Sequence, residues 1–239
     1  MLRLAHEIPR FFTWQKLVLL LEAMGTTLAM TAIGCVLGFL LAFGIVFLRQ
    51  TPGRLALPLR LAAVFYVEIF RRIPFLVVIY LVLFFIQAFV DASLFAIAVV
   101  AICIYSTAYT ADIIRGGFES VARQQVEAAA AMNFGRWQTL VMVIVPQSWP
   151  VILPPAVAFA VGFIKDTALV SQVGVFELTF RGKELNNEGF SGLLVFGTIA
   201  LLYFAMSYPL SRWGRWLEQR LASSPSKRSQ QRLRPAHRS

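Results

Sequence analysis

Residues 24–48 read MGTTLAMTAIGCVLGFLLAFGIVFL, without one charged side chain. As a helix rising 1.5 Å per residue, this stretch covers about 37 Å, enough to cross a hydrocarbon core about 30 Å thick. Four further apolar stretches follow, near 73–90, 94–114, 151–172 and 191–211. Together they predict an all-α integral membrane protein with about five transmembrane helices. The second stretch is preceded by Glu68, Arg71 and Arg72, and Pro74 is placed to start or bend it. Residues 11–22, with Trp14, Lys16 and Glu22, read as an interfacial lead-in to the first span. The chain thus divides into 1–23, a transmembrane domain over 24–215, and a tail over 216–239.

Composition agrees. Of the 239 residues 58% are hydrophobic and 14% charged, against about 25% charged in soluble domains. The net charge of +10 is distributed between apolar segments and in the tail, which argues against a nucleic-acid partner. Cys35 and Cys103 both fall inside apolar runs and read as small hydrophobes, not as a disulfide or metal pair. The first apolar segment lacks a secretory cleavage site. Residues 222–239 are polar, basic and Pro-containing, the composition of a disordered tail near anionic lipid headgroups.

Lys and Arg set the orientation. Sixteen of the 22 lie in 49–72, 115–150 and the tail after 211; five lie at the N-terminus and in 173–190. The positive-inside rule places the N-terminus outside and the C-terminus in the cytoplasm. In the first span Gly34 and Gly38 have G-x-x-x-G spacing, with Ala42 one step further. Such a stripe admits a closely packed helix, either from the same chain or from another subunit.

The cytoplasmic connection 115–150, RGGFESVARQQVEAAAAMNFGRWQTLVMVIVPQSWP, is long enough to have structure of its own. Ala, Glu and Gln favour a helix over 119–132. Asn133 and Gly135 tolerate a left-handed conformation and stop it. A second helix, 136–145, is expected to end at Pro146. Two short helices about a sharp bend make a rigid knob, and Ala128 to Ala131 give it a small-residue surface suited to docking in a cleft.

This segment resembles the EAA loop of ABC importer permeases: Glu127, Ala128 and Ala129, then Asn133 where the family has Gly, Val143 and Val145 at the aliphatic positions, and Pro146. YVEIFRRIPFLV (66–77), AYTADIIRGGFESV (108–121) and FIKDTALVSQVGVFEL (163–178) resemble the polar amino-acid subfamily of these permeases. The likeness covers roughly residues 20–215. It implies a bacterial inner-membrane permease subunit that acts with a cytoplasmic ABC ATPase dimer, a second permease subunit (a copy or a sibling chain) and a periplasmic amino-acid-binding protein. ATP would be held by the partner ATPase and no cofactor by this chain. The sequence agrees, since Gly182-Lys183 is followed by Glu184 and forms no phosphate loop.

Polar residues within spans are pathway candidates, here Lys165, Asp166, Thr167 and Glu68. A zwitterionic substrate needs both signs of charge nearby. The competing reading is that Lys165 and Asp166 only fix helix packing. Glu68 with Arg71 and Arg72, and Asp112 with Arg115, have the i, i+3 and i, i+4 spacing of helical ion pairs. Three rival functions stand against the importer reading, the first a membrane scaffold or regulatory subunit without transport, which would need neither a knob fitted to an ATPase nor charges in the fourth span. Gly189-Phe190-Ser191-Gly192 resembles the serine motif of rhomboid intramembrane proteases, but His6 and His237 lie in opposite tails, leaving only Lys165 or Lys183 as a base. A self-sufficient secondary transporter of small polar solutes is the third, and five spans without a visible inverted repeat are few for that class.

Overall fold

The computed structural model describes residues 2–51, 53 and 56–222, and these are helical throughout apart from short connections. The tail expected to be disordered lies almost wholly outside the described residues.

The chain opens with α1 (Leu2–Phe11) and then α2 (Trp14–Gln50). The helix that carries the first span starts ten residues before the apolar stretch, so residues 14–22 of the lead-in are helical and continuous with it. Lys16 and Glu22 are good helix formers and do not interrupt it.

The second span differs most from expectation. It is a pair, α3 (Leu57–Phe70) and α4 (Phe75–Gln87), bent by 119°. Each half is about 20 Å long, short of the hydrocarbon thickness. The corner follows from Pro74, which has no N–H to donate and disfavours helical backbone at Ile73. Pro74 instead starts α4, its carbonyl accepting from Val77 and Val78.

Next comes α5 (Leu94–Glu119), capped by Ser93, whose hydroxyl accepts from the Ala96 N–H. It packs along α2, and here the G-x-x-x-G stripe finds its partner. Gly34 faces Ile102, Gly38 faces Ser106, and the Ser106 hydroxyl donates to the Gly34 carbonyl at 3.0 Å. The stripe serves packing within this chain.

A short helix, α6 (Arg123–Ala131), leads through a bend to α7 (Arg136–Thr139). From there the chain does not stop at Pro146. A wide π-helical turn over Leu140–Ile144 passes directly into α8 (Val145–Asp166), then a tight 3-10 run to Val173. The reason is visible in the hydrogen bonds: the Val145 N–H reaches back five residues to the Leu140 carbonyl. The extra residue in that turn accommodates a proline that cannot donate. Pro146, Pro150 and Pro154 recur every fourth residue, with Pro155 beside the last, so three of the four missing N–H groups lie near one face of the rod. The result is one span over Arg136–Val173.

Gly174, at φ 87°, ends the 3-10 run. Then α9 (Leu178–Asn187) fills much of the 173–190 connection, and α10 (Gly192–Ala222) closes the described chain, running seven residues past the expected domain boundary at 215.

Three buried clusters hold this arrangement. One joins α2, α4, α5 and α8 through Ile79, Ile97, Ile102 and Phe163. A second seats α1, α9 and α10 through Phe11, Leu20, Leu178 and Ile199. The third, at the α6–α7 end, comprises Ala42, Val67, Ile114, Phe118, Leu140 and Ile152. Outside them large apolar side chains are exposed along the long helices, among them Leu40, Leu41, Phe84, Phe85, Leu201 and Phe204, which is the surface a bilayer solvates.

Candidate functional site: the elbow, its ionic strap and the far-end charges

Helix α6 ends in a Schellman arrangement. The Phe134 N–H donates to the Ala129 carbonyl and the Asn133 N–H to the Ala130 carbonyl, with Asn133 left-handed at φ 59°. Asn133 therefore carries the bend alone. Gly135 is extended (φ −65°, ψ 160°) and instead caps α7, its N–H donating to the Gln138 side chain at 2.8 Å. Asn tolerates the left-handed region better than residues with a larger or branched side chain. Asn133→Ala is expected to lower the stability of the α6–α7 turn by about 1 kcal/mol, while Asn133→Gly leaves it intact or better. Amide exchange over residues 129–135 measures both.

The elbow's outer surface carries Glu127, Ala128, Ala130 and Ala131, with Met132 and Trp137 each 63% exposed. Ala129 is the exception in the expected docking stripe: it points inward and is buried. Glu127 accepts from Arg123 one turn earlier at 2.8 Å and is otherwise open to solvent. Behind the elbow, Phe47 and Gln50 of α2 and Val126, Phe134 and Leu140 line a cleft of about 560 Å³. Pro146 lies just beyond, inside the continuous rod.

Charged side chains strap the α3–α4 corner to α5. Arg71 meets Asp112 at 2.9 Å; Arg115 forks between Asp112 and Glu119, at 2.8 Å to each. Glu68 pairs with Arg72 at 2.8 Å. Sequence spacing anticipated the Glu68–Arg72 and Asp112–Arg115 pairs, whereas Arg71 turns to α5 because the corner aims it there. The Tyr109 hydroxyl adds a bond to the Arg71 carbonyl at 3.3 Å, and the Tyr109 ring stacks on Phe159 of α8, centroids 5.4 Å apart.

Lys165 and Asp166 sit exposed at the end of α8 opposite the elbow. Thr167 does not join them: it is fully buried, and its hydroxyl donates to the Ile164 carbonyl at 2.6 Å, closing the helix end. Glu68 belongs to the corner and is engaged there by Arg72. The pathway candidates are thus one exposed charge pair at the end of α8, one internally satisfied hydroxyl and one ion-paired carboxylate at the corner.

Glu177 had no sequence signal, since glutamate is not a favoured N-cap. It is fully buried beneath α9, where its carboxylate accepts from the Phe180 N–H at 2.7 Å and the Tyr203 hydroxyl at 2.8 Å. Burial pushes its pKa above the usual carboxylate value. Ser191 starts α10, its N–H donating to Glu7 at 2.8 Å, and Lys183 donates to Ser171. Neither arrangement is that of a nucleophile with its base.

Residues 34–223 match the sequence profile of the binding-protein-dependent transport system inner membrane component family. The chain belongs to that family. As an inner-membrane, multi-pass permease subunit it serves an ABC importer that works with an ATPase and a substrate-binding protein. It is 31% identical over 226 residues to the octopine transport system permease protein OccM of Rhizobium radiobacter, covering 87% of this chain and 91% of that one. Over 211 residues it is 33% identical to the glutamine transport system permease protein GlnP of Escherichia coli K12, covering 87% and 95%. Among solved structures, the permease resembles a chain of an amino acid ABC transporter determined with histidines: TM-score 0.78, 28% identity, 86% of this chain and 95% of that one. It also shares its fold with a chain of the inward-facing MetNI methionine ABC transporter: TM-score 0.77, 22% identity, 88% and 99% coverage.

Proposed function

We propose that this permease moves polar amino acids into the cytoplasm, driven by ATP hydrolysed on a separate ABC ATPase dimer docked at the elbow. The observation that carries this reading is the elbow itself. It is a rigid, exposed helix–bend–helix that presents Glu127 and Ala128 outward and runs without a joint into α8. A push there tilts a whole span, the kind of two-state motion that alternating access needs. The permease names of similar proteins, octopine and glutamine, support polar amino acids and their derivatives as the cargo class.

In this reading the N-terminus lies in the periplasm and the C-terminus in the cytoplasm, following the distribution of Lys and Arg. A second permease subunit, a copy or a sibling, completes the pathway, and a periplasmic binding protein delivers the cargo. Glu127 and Ala128 with the Asn133 bend form the docking knob, buried Ala129 seats it, Gly135 caps its second helix, and the wide turn before Pro146 keeps it continuous with α8. Lys165 and Asp166 are the charges that face a zwitterion; Glu68 and Thr167 act through the fold. No nucleic acid takes part, ATP is bound by the partner, and lipids surround the spans.

The test is uptake of radiolabelled glutamine, glutamate, histidine, arginine and octopine by vesicles carrying the permease, its ATPase and its binding protein. Uptake is expected to require all three components and ATP. Uptake that persists without the ATPase would instead establish a secondary transporter.

A further inference from the structure

We propose that Arg71, Asp112, Arg115 and Glu119 are positioning residues that tie the α3–α4 corner to the coupling elbow, so that corner, α5 and elbow move as one body. The proposal rests on the importer reading and adds the route by which displacement of the elbow reaches the broken span.

The geometry is that of a strap. Both carboxylate oxygens of Asp112 are taken, Oδ2 by Arg71 from the corner and Oδ1 by Arg115 one turn along α5. The Arg115 fork then passes to Glu119, the last residue of α5. Only Ser120, Val121 and Ala122 separate that residue from α6, and the Ser120 hydroxyl folds back onto the Gly117 carbonyl at 2.6 Å. The charges therefore form a chain from the corner to the root of the elbow.

A second tie runs beside it. Tyr109 holds the Arg71 carbonyl with its hydroxyl, its ring lies 5.8 Å from the Arg71 guanidinium, and the same ring packs on Tyr105 one turn back and on Phe159 of α8. Since α8 is continuous with α7, the corner is linked to both arms of the elbow. The positions Tyr105, Tyr109, Asp112, Arg115 and Glu119 recur at three- and four-residue steps, so one face of α5 carries the whole series.

Stability does not require these charges. These side chains are half-buried, 26% exposed for Asp112 and 36% for Arg71, so water screens part of their attraction, and the corner is held mainly by buried Val67 and Phe75. What the pairs add is direction: planar guanidinium forks fix geometry as well as distance. A corner bent by 119° with half-spans on either side has freedom that such a strap removes.

The experiment compares Asp112→Asn with the native chain in the complete importer, reconstituted in vesicles with ATPase and binding protein. Uptake of whichever amino acid from the panel above the native complex carries fastest is measured together with ATP hydrolysis. Asparagine keeps the shape and removes the charge that both arginines share. The expected result is that ATP consumed per amino acid moved rises about fivefold or more, with the thermal midpoint of the complex unchanged. Asp112→Glu, which retains the charge, recovers most of the native ratio. An unchanged ratio in Asp112→Asn overturns the strap, whether uptake is normal or reduced. Should that variant fail to assemble, Arg71→Gln tests the same contact from the corner; failure of both to assemble overturns the proposal in favour of a folding role. A native complex without ATP-driven uptake overturns the importer reading, and the strap with it.

Discussion

Replacing Gly38 by leucine is expected to leave almost no folded permease in the membrane. A Cβ at this position would overlap the Ser106 hydroxyl and press on the Thr107 nitrogen at 2.9 Å and the Cys103 carbonyl at 3.0 Å. Two of those three atoms are backbone, so no rotamer change relieves them. The hydroxyl cannot step aside freely either, because it donates to the Gly34 carbonyl on the facing helix. Even alanine is expected to cost about 1–3 kcal/mol through overpacking, and leucine must part α2 from α5. Gly44, on the same helix, has open space around it. Gly44→Ala should be neutral or slightly favourable through helix propensity. Yield and thermal midpoint in detergent, measured for Gly38→Ala, Gly38→Leu and Gly44→Ala, separate the two positions. A stable, well-packed Gly38→Leu protein would mean that α2 and α5 do not meet along this stripe.

Replacing Glu127 by arginine is expected to do the reverse: fold and insertion survive, and ATP-driven uptake falls tenfold or more. Glu127 is well exposed and is paired within the elbow with Arg123 one turn away. Reversing it places two like charges at i, i+4, which costs a few tenths of a kcal/mol in helix stability. At a docking surface, by contrast, juxtaposing like charges costs several kcal/mol and slows encounter. Co-purification of the ATPase, insertion and uptake, measured together, check the prediction. Native uptake in the variant would remove Glu127 from the docking surface.

Much of this molecule was legible from its sequence, for a physical reason. Apolar runs of membrane length announce spans, so the four long helices were found. Their ends were not, because good helix formers such as Lys16 and Glu22 extend a helix beyond its apolar part. The α3–α4 corner was visible only as an interruption: Glu68, Arg71, Arg72 and Pro74 are compatible with a kink, a shifted span or a sharp corner. Which one forms is decided by packing: Val67 and Phe75 are buried among helices distant in the chain, and Arg71 then meets Asp112 forty-one positions away. Pro146 misled in the opposite sense. A proline normally ends a helix, and nothing local reveals that the turn before it widens to let the helix pass. The elbow was found because its bend has a compact local signature, although the left-handed residue is Asn133 and not Gly135. Helix α9 was missed because its cap is glutamate, buried with Tyr203 of the following helix.

The unbroken rod from Arg136 to Val173 also fixes a phase. Each residue of an α-helix turns the chain by about 100°, so the count of residues between the elbow and Lys165 sets the compass direction in which the charged pair faces relative to the docking surface. One residue gained or lost there would swing Lys165 and Asp166 onto a neighbouring face without altering any local interaction. Seven would nearly restore the original heading, two turns further along. Substitutions along this segment are therefore tolerable in many combinations, whereas its length is a dimension of the machine.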